Sequence, residues 1–474
     1  PPYRLAILDE AHHLEETATA HLGRELTRRG MERLLHRLHR GRGKAGGVLA
    51  TARAVAAEAG EDAGPLMELL EWQILPAVHH AGEWTSRLFD ALGRWAPREG
   101  TRSLEPGAVP EALEELAQET MAAWNRLAGL VDRFRADLRG TPAGREETGR
   151  AVLAELEGVD LALRRRAEAL GAILAAEGPH EVYWVEGSRG ETKLCSAPAE
   201  VGPVLQRVLF DQLAGVVATS ATLTVDGSFQ YLVERLGLEE CRQDGRLLET
   251  VIESPFNYRA QAVLAVVEDL PEPDSPAYPE AVAGSLELLV PAVTGGTLVL
   301  FTSYQMLEAV ARALAGRLPA GRQVLCQGEL PRSQILDRLR SEPGTVCLAT
   351  ATFWEGVDLP GEALELVVIV RLPFAVPADP VVAARIERLR QQGRDPFQEY
   401  QLPEMVLRLK QGFGRLIRHR NDRGAVVLLD GRVSRRRYGE TVLRSLPPAS
   451  FVQGDQRSVA EAVRRHLEAS WGIG

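Results

Sequence analysis

The sequence predicts an α/β fold in which a parallel sheet is combined with a long, all-helical segment. Beyond Val251, short apolar runs alternate with helical segments, which is typical of parallel strands joined by crossover helices. These runs cover residues 297–301, 323–326, 346–349, 366–370 and 425–429. Between Leu14 and Glu177, apolar residues recur at helical spacing instead. A chain of 474 residues is too long for one hydrophobic core, so we expect two or three domains.

The composition is that of an ordinary globular protein, with 45% hydrophobic and 25% charged residues. No apolar run approaches the ~20 residues of a membrane span, and no targeting segment opens the sequence, so we expect a cytoplasmic protein outside the membrane. The net charge of -10 argues against coating nucleic acid by bulk charge but is compatible with a local basic channel for DNA. Four widely separated cysteines are typical of reduced thiols rather than of a metal site: Cys195, Cys241, Cys326 and Cys347.

A pair of carboxylates follows the apolar run of residues 5–8, within the motif Asp9-Glu10-Ala11-His12. At the carboxyl end of a parallel strand, one carboxylate can hold Mg²⁺ while the other orients a water molecule for attack on a phosphate. A solvated helix cap is the ordinary alternative. The phosphate-binding pattern Gly-x-x-x-x-Gly-Lys-Ser/Thr is absent from the sequence, which opens at Pro1-Pro2 without Met. We therefore expect the carboxyl-terminal part of a longer protein.

Gly and Pro interrupt the helical segment at residues 41–47, 60–65, 97–110, 140–144 and 178–179. About five antiparallel helices are expected, as a generic insertion or as a partner-binding bundle. Alternating residues then predict a hairpin over 181–195, which should return the chain to its first sheet, and a strand over 215–218. A helix over 229–238 should end at Gly237, and the Pro-rich stretch 271–279 should form a loop.

Four further motifs follow in order. They are Thr219-Ser220-Ala221-Thr222, Phe301-Thr302-Ser303-Tyr304, the stretch Thr352-Phe353-Trp354-Glu355-Gly356-Val357-Asp358, and Gln411-Gly412-Phe413-Gly414-Arg415-Leu416-Ile417-Arg418. Together with residues 9–12, they resemble motifs II to VI of superfamily 2 helicases. The stretch 353–358, with Arg371-Leu372-Pro373-Phe374 and Asp430-Gly431-Arg432, resembles the DinG branch of the XPD/DinG helicases. The resemblance covers nearly the whole chain.

The resemblance implies RecA-like P-loop NTPase helicase domains: a partial first domain (residues 1–13 and 181–250), an all-helical arch insertion (14–180) and a complete second domain (251–474). It also implies a monomeric DNA helicase that uses ATP and Mg²⁺, moves 5′ to 3′ on single-stranded DNA and acts in DNA repair. Relatives often carry a four-cysteine iron–sulfur cluster between the phosphate-binding loop and motif II. A cluster is therefore possible in a region upstream of Pro1, and none is expected within this chain. Without the preceding strands, residues 5–8 and 215–218 should leave an apolar face exposed.

The resemblance assigns Asp9 and Glu10 to catalysis and metal binding. His12, in the nucleotide site, is expected to bridge to motif VI or to Ser220. The hydroxyls of Ser220 and Thr222 suit the relay of nucleotide state between motifs, although a plain turn at a strand end would use the same residue types.

Motif VI supplies the positive charges of the predicted site. Arg415 and Arg418 are three residues apart on a predicted helix, so both should face the γ-phosphate, with Gln411 one turn earlier. Gly414 should allow close approach of the backbone to the nucleotide. A surface arginine patch is the ordinary alternative.

Motif V is expected to contact both the nucleotide and the DNA. Gly356 should free the backbone for a tight loop, in which Asp358 binds an arginine or the ribose. Phe353 and Trp354 either stack on a DNA base or belong to the core.

Thr302 and Ser303 of motif IV either donate to a DNA phosphate or cap a helix. Two other functional classes remain open from the sequence. One is a non-catalytic nucleic-acid-binding remnant or scaffold that has lost the phosphate-binding loop. The other is a nuclease, for which the sequence offers no acidic cluster beyond Asp9-Glu10.

Overall fold

A computed structural model describes residues 3–40, 46–178, 180–188, 190–350, 353, 359 and 361–469. The chain divides into two compact units. The sheet unit contains Pro1–Leu14, Gly202–Ala375 and Leu389–Gly474, and the helical unit contains Glu15–Val201 and Val376–Arg388. Among the residues described, no helix has the length and apolar character needed to cross a membrane.

The strands and helices of the described residues are as follows. The strands are β1 (Leu5–Leu8), β2 (Arg24–Thr27), β3 (Gly100–Leu104), β4 (Glu181–Ser188), β5 (Glu191–Pro198), β6 (Gly215–Ala218), β7 (Ala262–Val267), β8 (Thr297–Phe301), β9 (Val324–Cys326), β10 (Val346–Thr350), β11 (Leu366–Ile369), β12 (Gly424–Leu428) and β13 (Ser450–Gly454). The first helices are α1 (Leu14–Leu22), α2 (Arg28–Leu38), α3 (Val48–Ala57), α4 (Ala63–Leu69), α5 (Leu75–Trp95), α6 (Glu111–Gly140), α7 (Pro142–Arg145), α8 (Glu147–Ala175), α9 (Gly202–Leu205) and α10 (Gln230–Leu236). The remaining helices are α11 (Glu239–Gln243), α12 (Tyr258–Gln261), α13 (Tyr278–Leu289), α14 (Tyr304–Leu314), α15 (Arg332–Ser341), α16 (Pro380–Gln391), α17 (Leu402–Phe413), α18 (Arg432–Arg435), α19 (Gly439–Ser445) and α20 (Gln456–Glu468).

The larger sheet of the sheet unit is parallel and has the strand order β13-β7-β12-β11-β8-β10-β9. All five apolar runs expected beyond Val251 are strands of this sheet, so the predicted α/β fold is confirmed. The strands β7 and β13 were not predicted. The loop expected over 271–279 ends where α13 begins at Tyr278.

Both faces of the seven-stranded sheet are buried, as crossover helices require. In β8, Leu298 and Leu300 join the core formed with α15, α17 and α19. The alternate residues Val299 and Phe301 join the core formed with α13, α14 and α20. Each fully buried side chain of this size contributes roughly 1.5–3 kcal/mol to folding. Burial on both faces explains why these strands are continuous apolar runs.

A second, two-stranded sheet pairs β1 with β6 in parallel, with Leu8 opposite Ala218. One face of it is uncovered: the exposed fractions of Leu5, Ile7 and Val217 are 71%, 77% and 55%. The expected exposed apolar face is therefore present. Further along the chain, α10 ends at Gly237 as predicted, in the left-handed conformation with φ 71°.

The helical unit is built on α5, α6 and α8, which enclose a common core. Trp124 is fully buried, and its indole nitrogen donates to the hydroxyl of Thr85 at 2.9 Å. The unit is not all-helical, however. The hairpin β4–β5 lies in an antiparallel sheet of order β2-β5-β4-β3. Its strand Arg24–Thr27 interrupts a stretch expected to be helical, whereas Gly100–Leu104 lies within the expected break at residues 97–110.

The hairpin was expected to return the chain to its first sheet, but it pairs inside the helical unit. The reason is that β2 and β3 offer backbone partners on both of its edges.

A segment from the carboxyl-terminal half of the sequence, Val376–Arg388, also belongs to the helical unit. A guanidinium nitrogen of Arg385 lies 2.9 Å from a carboxylate oxygen of Glu15, and both side chains are largely buried, with 10% and 14% exposed. The same guanidinium donates to the Thr19 hydroxyl at 3.1 Å and to the Ala199 carbonyl at 2.9 Å. The Arg385 guanidinium therefore connects its own segment with α1 and with the stretch that follows β5.

Candidate nucleotide site and nucleic-acid edge

The parallel register of β1 and β6 brings two sequence motifs to one edge of the two-stranded sheet. Because Leu8 pairs with Ala218, the residues that follow these strands leave the sheet side by side. The pairing continues beyond the strands: the Thr219 amide donates to the Leu8 carbonyl at 2.8 Å, and the Ala11 amide donates to the Thr219 carbonyl at 3.0 Å. Motifs II and III are thus joined through their backbones.

Both carboxylates of motif II are exposed, and each accepts a hydroxyl hydrogen bond from motif III. Asp9 Oδ1 accepts from Thr219 Oγ1 at 3.0 Å and from the Glu10 amide at 3.0 Å. Glu10 Oε2 accepts from Ser220 Oγ at 3.1 Å. Glu10 has a φ of 50°, in the left-handed region that residues other than glycine rarely adopt. A strained backbone at such a position is typical of functional sites.

His12 lies behind the carboxylates, with only 8% of its side chain exposed. Its Nδ1 lies 2.6 Å from Ser220 Oγ and 3.3 Å from Glu10 Oε2. Burial is the main cause that lowers the pKa of His12 to about 4; the neighbouring His13 and Arg415 act in the same direction, and Glu10 partly opposes them. The ring is therefore neutral at pH 7. Of the two bridges expected from the sequence, the structure places the one to Ser220.

The hydroxyl of Ser220 is the meeting point of the two motifs. Besides Glu10 and His12, it accepts from the Thr222 amide at 3.2 Å and lies 3.4 Å from the Thr222 hydroxyl. Thr222 is buried, with 5% exposed. The turn expected as the ordinary alternative is thus present, and the same hydroxyl also contacts both motif II side chains.

The charged residues of motif VI do not lie on a helix as expected. Helix α17 ends at Phe413, so Arg415 lies in the following turn and Arg418 in an irregular segment. Gln411 is half-buried in the last turn of the helix. Gly414 has a helical φ of -62°, and a Cβ there would make ordinary contacts, the nearest at 3.4 Å. The argument from helical spacing was therefore wrong, and the fold itself does not require a glycine at 414.

What holds the Arg418 segment in place is a buried carboxylate that the sequence analysis missed. Asp422 Oδ2 accepts from the amides of Arg418 at 2.8 Å and His419 at 2.7 Å, and its Oδ1 accepts from the Gly361 amide at 3.2 Å. The buried Gln261 donates to the His419 and Asp422 carbonyls, both at 3.0 Å. The only sequence indication was an Asn-Asp pair before a strand, which is typical of turns.

Motif IV and part of motif V lie at the carboxyl edge of the seven-stranded sheet. Ser303 caps α14 by accepting from the Met306 amide at 3.2 Å, and Thr302 is half-buried. Phe353 is 2% exposed, with the Arg332 guanidinium 5.3 Å from its ring centre, which favours core packing over base stacking. Trp354, Gly356 and Asp358 lie outside the described residues.

At the same edge, the structure presents an aromatic residue of motif IV to which the sequence analysis gave no role. Tyr304 is 52% exposed, and its hydroxyl accepts from Gln327 Nε2 at 2.7 Å. Gln327 Oε1 accepts in turn from the Thr350 amide at 2.7 Å and the Thr350 hydroxyl at 2.9 Å. This network joins the ends of β8, β9 and β10. The place of Tyr304 at the end of motif IV could have indicated this role.

The donor set at motif II suits a magnesium–nucleotide complex better than a metal held by protein alone. Among the described residues, no group of three or more His, Cys, Asp or Glu side chains is placed to hold a metal ion. Mg²⁺ in nucleotide sites commonly takes one or two carboxylates and completes its shell with water and phosphate oxygens. Asp9 and Glu10 offer that number of carboxylates.

Comparison with known proteins shows similarity to DNA helicases. Residues 286–449 match the family model described as the helicase C-terminal domain. The chain is similar to an ATP-dependent DNA helicase YoaA of Haemophilus influenzae, with 32% identity over 451 residues, covering 95% of this chain and 63% of the relative. It is also similar to a protein of Bacillus subtilis named 3'-5' exonuclease DinG, with 32% identity over 481 residues, covering 98% of this chain and 50% of the relative. Over nearly its whole length, the chain is therefore similar to helicases of the DinG-like branch of the XPD/DinG family.

A solved XPD helicase has the same fold as this DinG-like chain, with a TM-score of 0.54 at 16% identity, over 95% of this chain and 68% of the other. The sheet unit therefore has the α/β architecture of RecA-like helicase domains. The chain spans between half and two thirds of the length of the curated relatives described above.

Proposed function

We propose that the complete protein is an ATP-dependent DNA helicase, and that the motif II–motif III contact in this chain is part of its hydrolytic site. The observation that carries the proposal is the joint arrangement of Glu10, His12 and Ser220, in which an exposed carboxylate is held by a hydroxyl and backed by a neutral imidazole. A surface helix cap has no use for such an arrangement.

Each residue has a distinct task in this proposal. ATP with Mg²⁺ would supply the phosphoryl group and the charge that polarises it. Asp9 would hold the metal, and Glu10 would orient the attacking water and accept its proton. Ser220 would connect the position of Glu10 to motif III. Arg415 and Arg418 would stabilise the charge that develops on the transferring phosphoryl group.

Nucleic acid would bind at the carboxyl edge of the seven-stranded sheet. Tyr304 offers an exposed ring for stacking, and its hydroxyl is fixed by Gln327. The half-buried Thr302 offers a hydroxyl to a phosphate. By family resemblance, we propose movement from 5′ to 3′ on single-stranded DNA by a monomer, with a role in DNA repair in the cytoplasm.

The other functional classes have less support. A non-catalytic remnant would have no need to keep Glu10 strained and hydrogen-bonded beside a neutral histidine. The Bacillus subtilis relative carries the name of an exonuclease, but this chain spans only half of it. Within the described part of the chain, the acidic residues form no cluster that could hold the metal ions of a nuclease.

The hydrolytic site is tested in the complete protein with Glu10→Gln, which keeps the shape of the side chain and removes its charge. We expect nucleotide binding to remain and ATP turnover to be lost, because the amide cannot orient or deprotonate water. Glu16→Gln, on the exposed side of α1, is the matched control and should turn over normally. Wild-type turnover by Glu10→Gln would refute the assignment of motif II.

The nucleic-acid edge is tested by titrating single-stranded DNA against variants of Tyr304. Tyr304→Ala should weaken binding by about 5- to 150-fold, which is the loss of affinity expected when one base loses its aromatic stacking partner. Tyr304→Phe retains the ring and should keep most of the affinity. Affinity should also fall steeply with salt, because a local groove contacts the phosphates in spite of the acidic net charge. Equal affinities for the Ala and Phe variants would rule out stacking on this residue.

A further inference from the structure

Three consecutive residues just beyond motif III, Thr224 to Asp226, contact the elements around the seven-stranded sheet rather than the two-stranded one. We name this segment the tether. Lys410 Nζ, on α17, donates to the Thr224 carbonyl at 2.9 Å and lies 3.4 Å from the Thr224 hydroxyl. The Asp226 amide donates to Ser445 Oγ at 2.8 Å, at the end of α19. Between them, Val225 packs against the core that α17 and α19 share.

The tether is a rigid turn rather than a loose loop. Val225 and Ser228 exchange backbone hydrogen bonds at 3.0 and 2.9 Å. Asp226 and Gly227 both have positive φ angles, 48° and 77°, as such a tight turn requires. The Thr224 carbonyl, which accepts from the Lys410 ammonium, lies directly before this turn.

Lys410 is an unusual residue for this place. It is half-buried, and burial lowers the pKa of its ammonium group. Its acceptors among the described residues are the carbonyl and hydroxyl of Thr224, not a carboxylate. When the Lys410 ammonium leaves water, it loses its hydration and gains only two neutral acceptors, which is unfavourable. An apolar side chain of the same length would therefore be better suited to a packing role alone.

Lys410 also lies directly before motif VI. The Gly414 amide donates to the Lys410 carbonyl at 2.9 Å, and Arg415 follows directly. On the other side, Thr224 lies two residues beyond Thr222, which contacts Ser220. A short chain of contacts thus runs from Glu10 through motif III and the tether to the helix that ends at motif VI.

We propose that Lys410 is a positioning residue for ATP hydrolysis, which fixes α17, and with it Arg415 and Arg418, against the segment that follows motif III. The inference rests on the proposed function. Lys410 does not touch nucleotide in this assignment; it acts through the arginines. A misplacement of about 1 Å at a catalytic group is enough to reduce turnover by about 100-fold.

Steady-state ATPase kinetics of the complete protein test the proposal. Lys410→Met should lower kcat by about 10- to 100-fold and leave KM for ATP within about twofold, since it removes alignment and not a ligand. Lys410→Arg should keep most of the activity, because a guanidinium also donates to the Thr224 carbonyl. Thr224→Val should change little, because the carbonyl is the nearer acceptor. Arg408→Met, which removes an exposed cation from the same helix, is the matched control.

Three outcomes overturn the proposal. An unchanged kcat in Lys410→Met would mean that the contact does not align motif VI. A raised KM at normal kcat would mean that Lys410 binds nucleotide directly. Equal loss in Lys410→Met and Lys410→Arg would mean that the helix tolerates no change at this position.

A second measurement on this chain does not depend on ATPase activity. The sequence has three lysines, Lys44, Lys193 and Lys410, so amine labelling followed by mass spectrometry resolves each of them. Lys410 should react more slowly than Lys193, and Val225→Ser, which loosens the tether, should speed its labelling. Equal rates in the wild type would overturn the contact itself. Inactive wild-type protein would instead refute the proposed function, whatever the labelling shows.

Discussion

The Nδ1 atom of His12 lies 2.6 Å from the Oγ atom of Ser220, although 208 residues separate them in the sequence. The His12 ring is largely buried, with 8% of its side chain exposed, and it contacts the same hydroxyl that donates to Glu10. Because burial keeps the ring uncharged, the hydroxyl can donate to the Glu10 carboxylate without competition from an imidazolium.

His12 should make the chain sensitive to acid. Its pKa is about 4 in the folded state and 6.5 in an unfolded chain, so the unfolded state takes up the proton first as pH falls. The contribution of the neutral His12 to the free energy of unfolding is fully present above pH 6.5 and is lost as pH falls from 6.5 to about 4. The total change is up to about 3 kcal/mol. Imidazole titration by NMR should give the midpoint near 4, with His12→Asn to assign the resonance. A midpoint near 6.5 would contradict the buried, neutral ring.

Arg418 should matter to hydrolysis and not to DNA binding. In the complete protein, Arg418→Ala should lower the ATPase rate by about 10²- to 10⁵-fold, the range for an arginine that stabilises a transferring phosphoryl group. The exposed Arg420, two residues further along, provides the matched control as Arg420→Ala. The measurements are kcat and the affinity for single-stranded DNA. Loss of DNA affinity with normal hydrolysis would restore the surface-patch interpretation.

Asp422 should decide whether the Arg418 segment is ordered. Asp422→Ala leaves the amides of Arg418, His419 and Gly361 without their acceptor, at about 1–3 kcal/mol for each buried amide that water does not reach. Hydrogen exchange at residues 418 and 419 should accelerate, while exchange in β12 stays slow. Asp244→Ala, at an exposed carboxylate, serves as the control. Unchanged exchange at these amides would show that other contacts hold the segment.

In the buried ion pair of the helical unit, replacing one partner should lower the free energy of unfolding strongly, whereas replacing both partners should lower it little. Arg385→Met removes the guanidinium that pairs with the largely buried Glu15 carboxylate and should destabilise the unit by about 3–5 kcal/mol. The double variant Glu15→Leu with Arg385→Met should recover most of the loss. The more exposed Arg388–Glu200 pair is the control, where Arg388→Met should cost about 0–1 kcal/mol. Chemical denaturation measures all three, and additive losses in the double variant would exclude the pairing.

The sequence was most informative where a local pattern meets a simple geometric rule. Strands such as β8 and β11 are apolar on both faces because helices cover both sides of the sheet, so a continuous run predicts them. The edge strand β13 is partly exposed at Ser450 and Phe451, and no apolar run marks it. Similarly, β2 and β3 are strands only because the distant hairpin pairs with them.

The site residues also divide into those that a local pattern predicts and those whose contacts depend on distant segments. Asp9, Glu10 and Ser220 follow two strands, and parallel strands end at one edge, so their meeting could be predicted. The contacts of Asp422, Gln261 and Lys410 depend on how distant loops fold together. Nothing within a few residues of any of them specifies its partner.

The strand β7 lies between β12 and β13, the last two strands of its sheet to be synthesised. Its wholly apolar residues, 262–267, therefore leave the ribosome with both backbone edges open, and they stay open until residues 424–454 have followed. An open, apolar edge is a template for pairing with other chains. Production of this protein should consequently depend on chaperone capacity during translation, and a truncation between Arg418 and Ser450 should favour aggregation even though all residues proposed for ATP hydrolysis are retained.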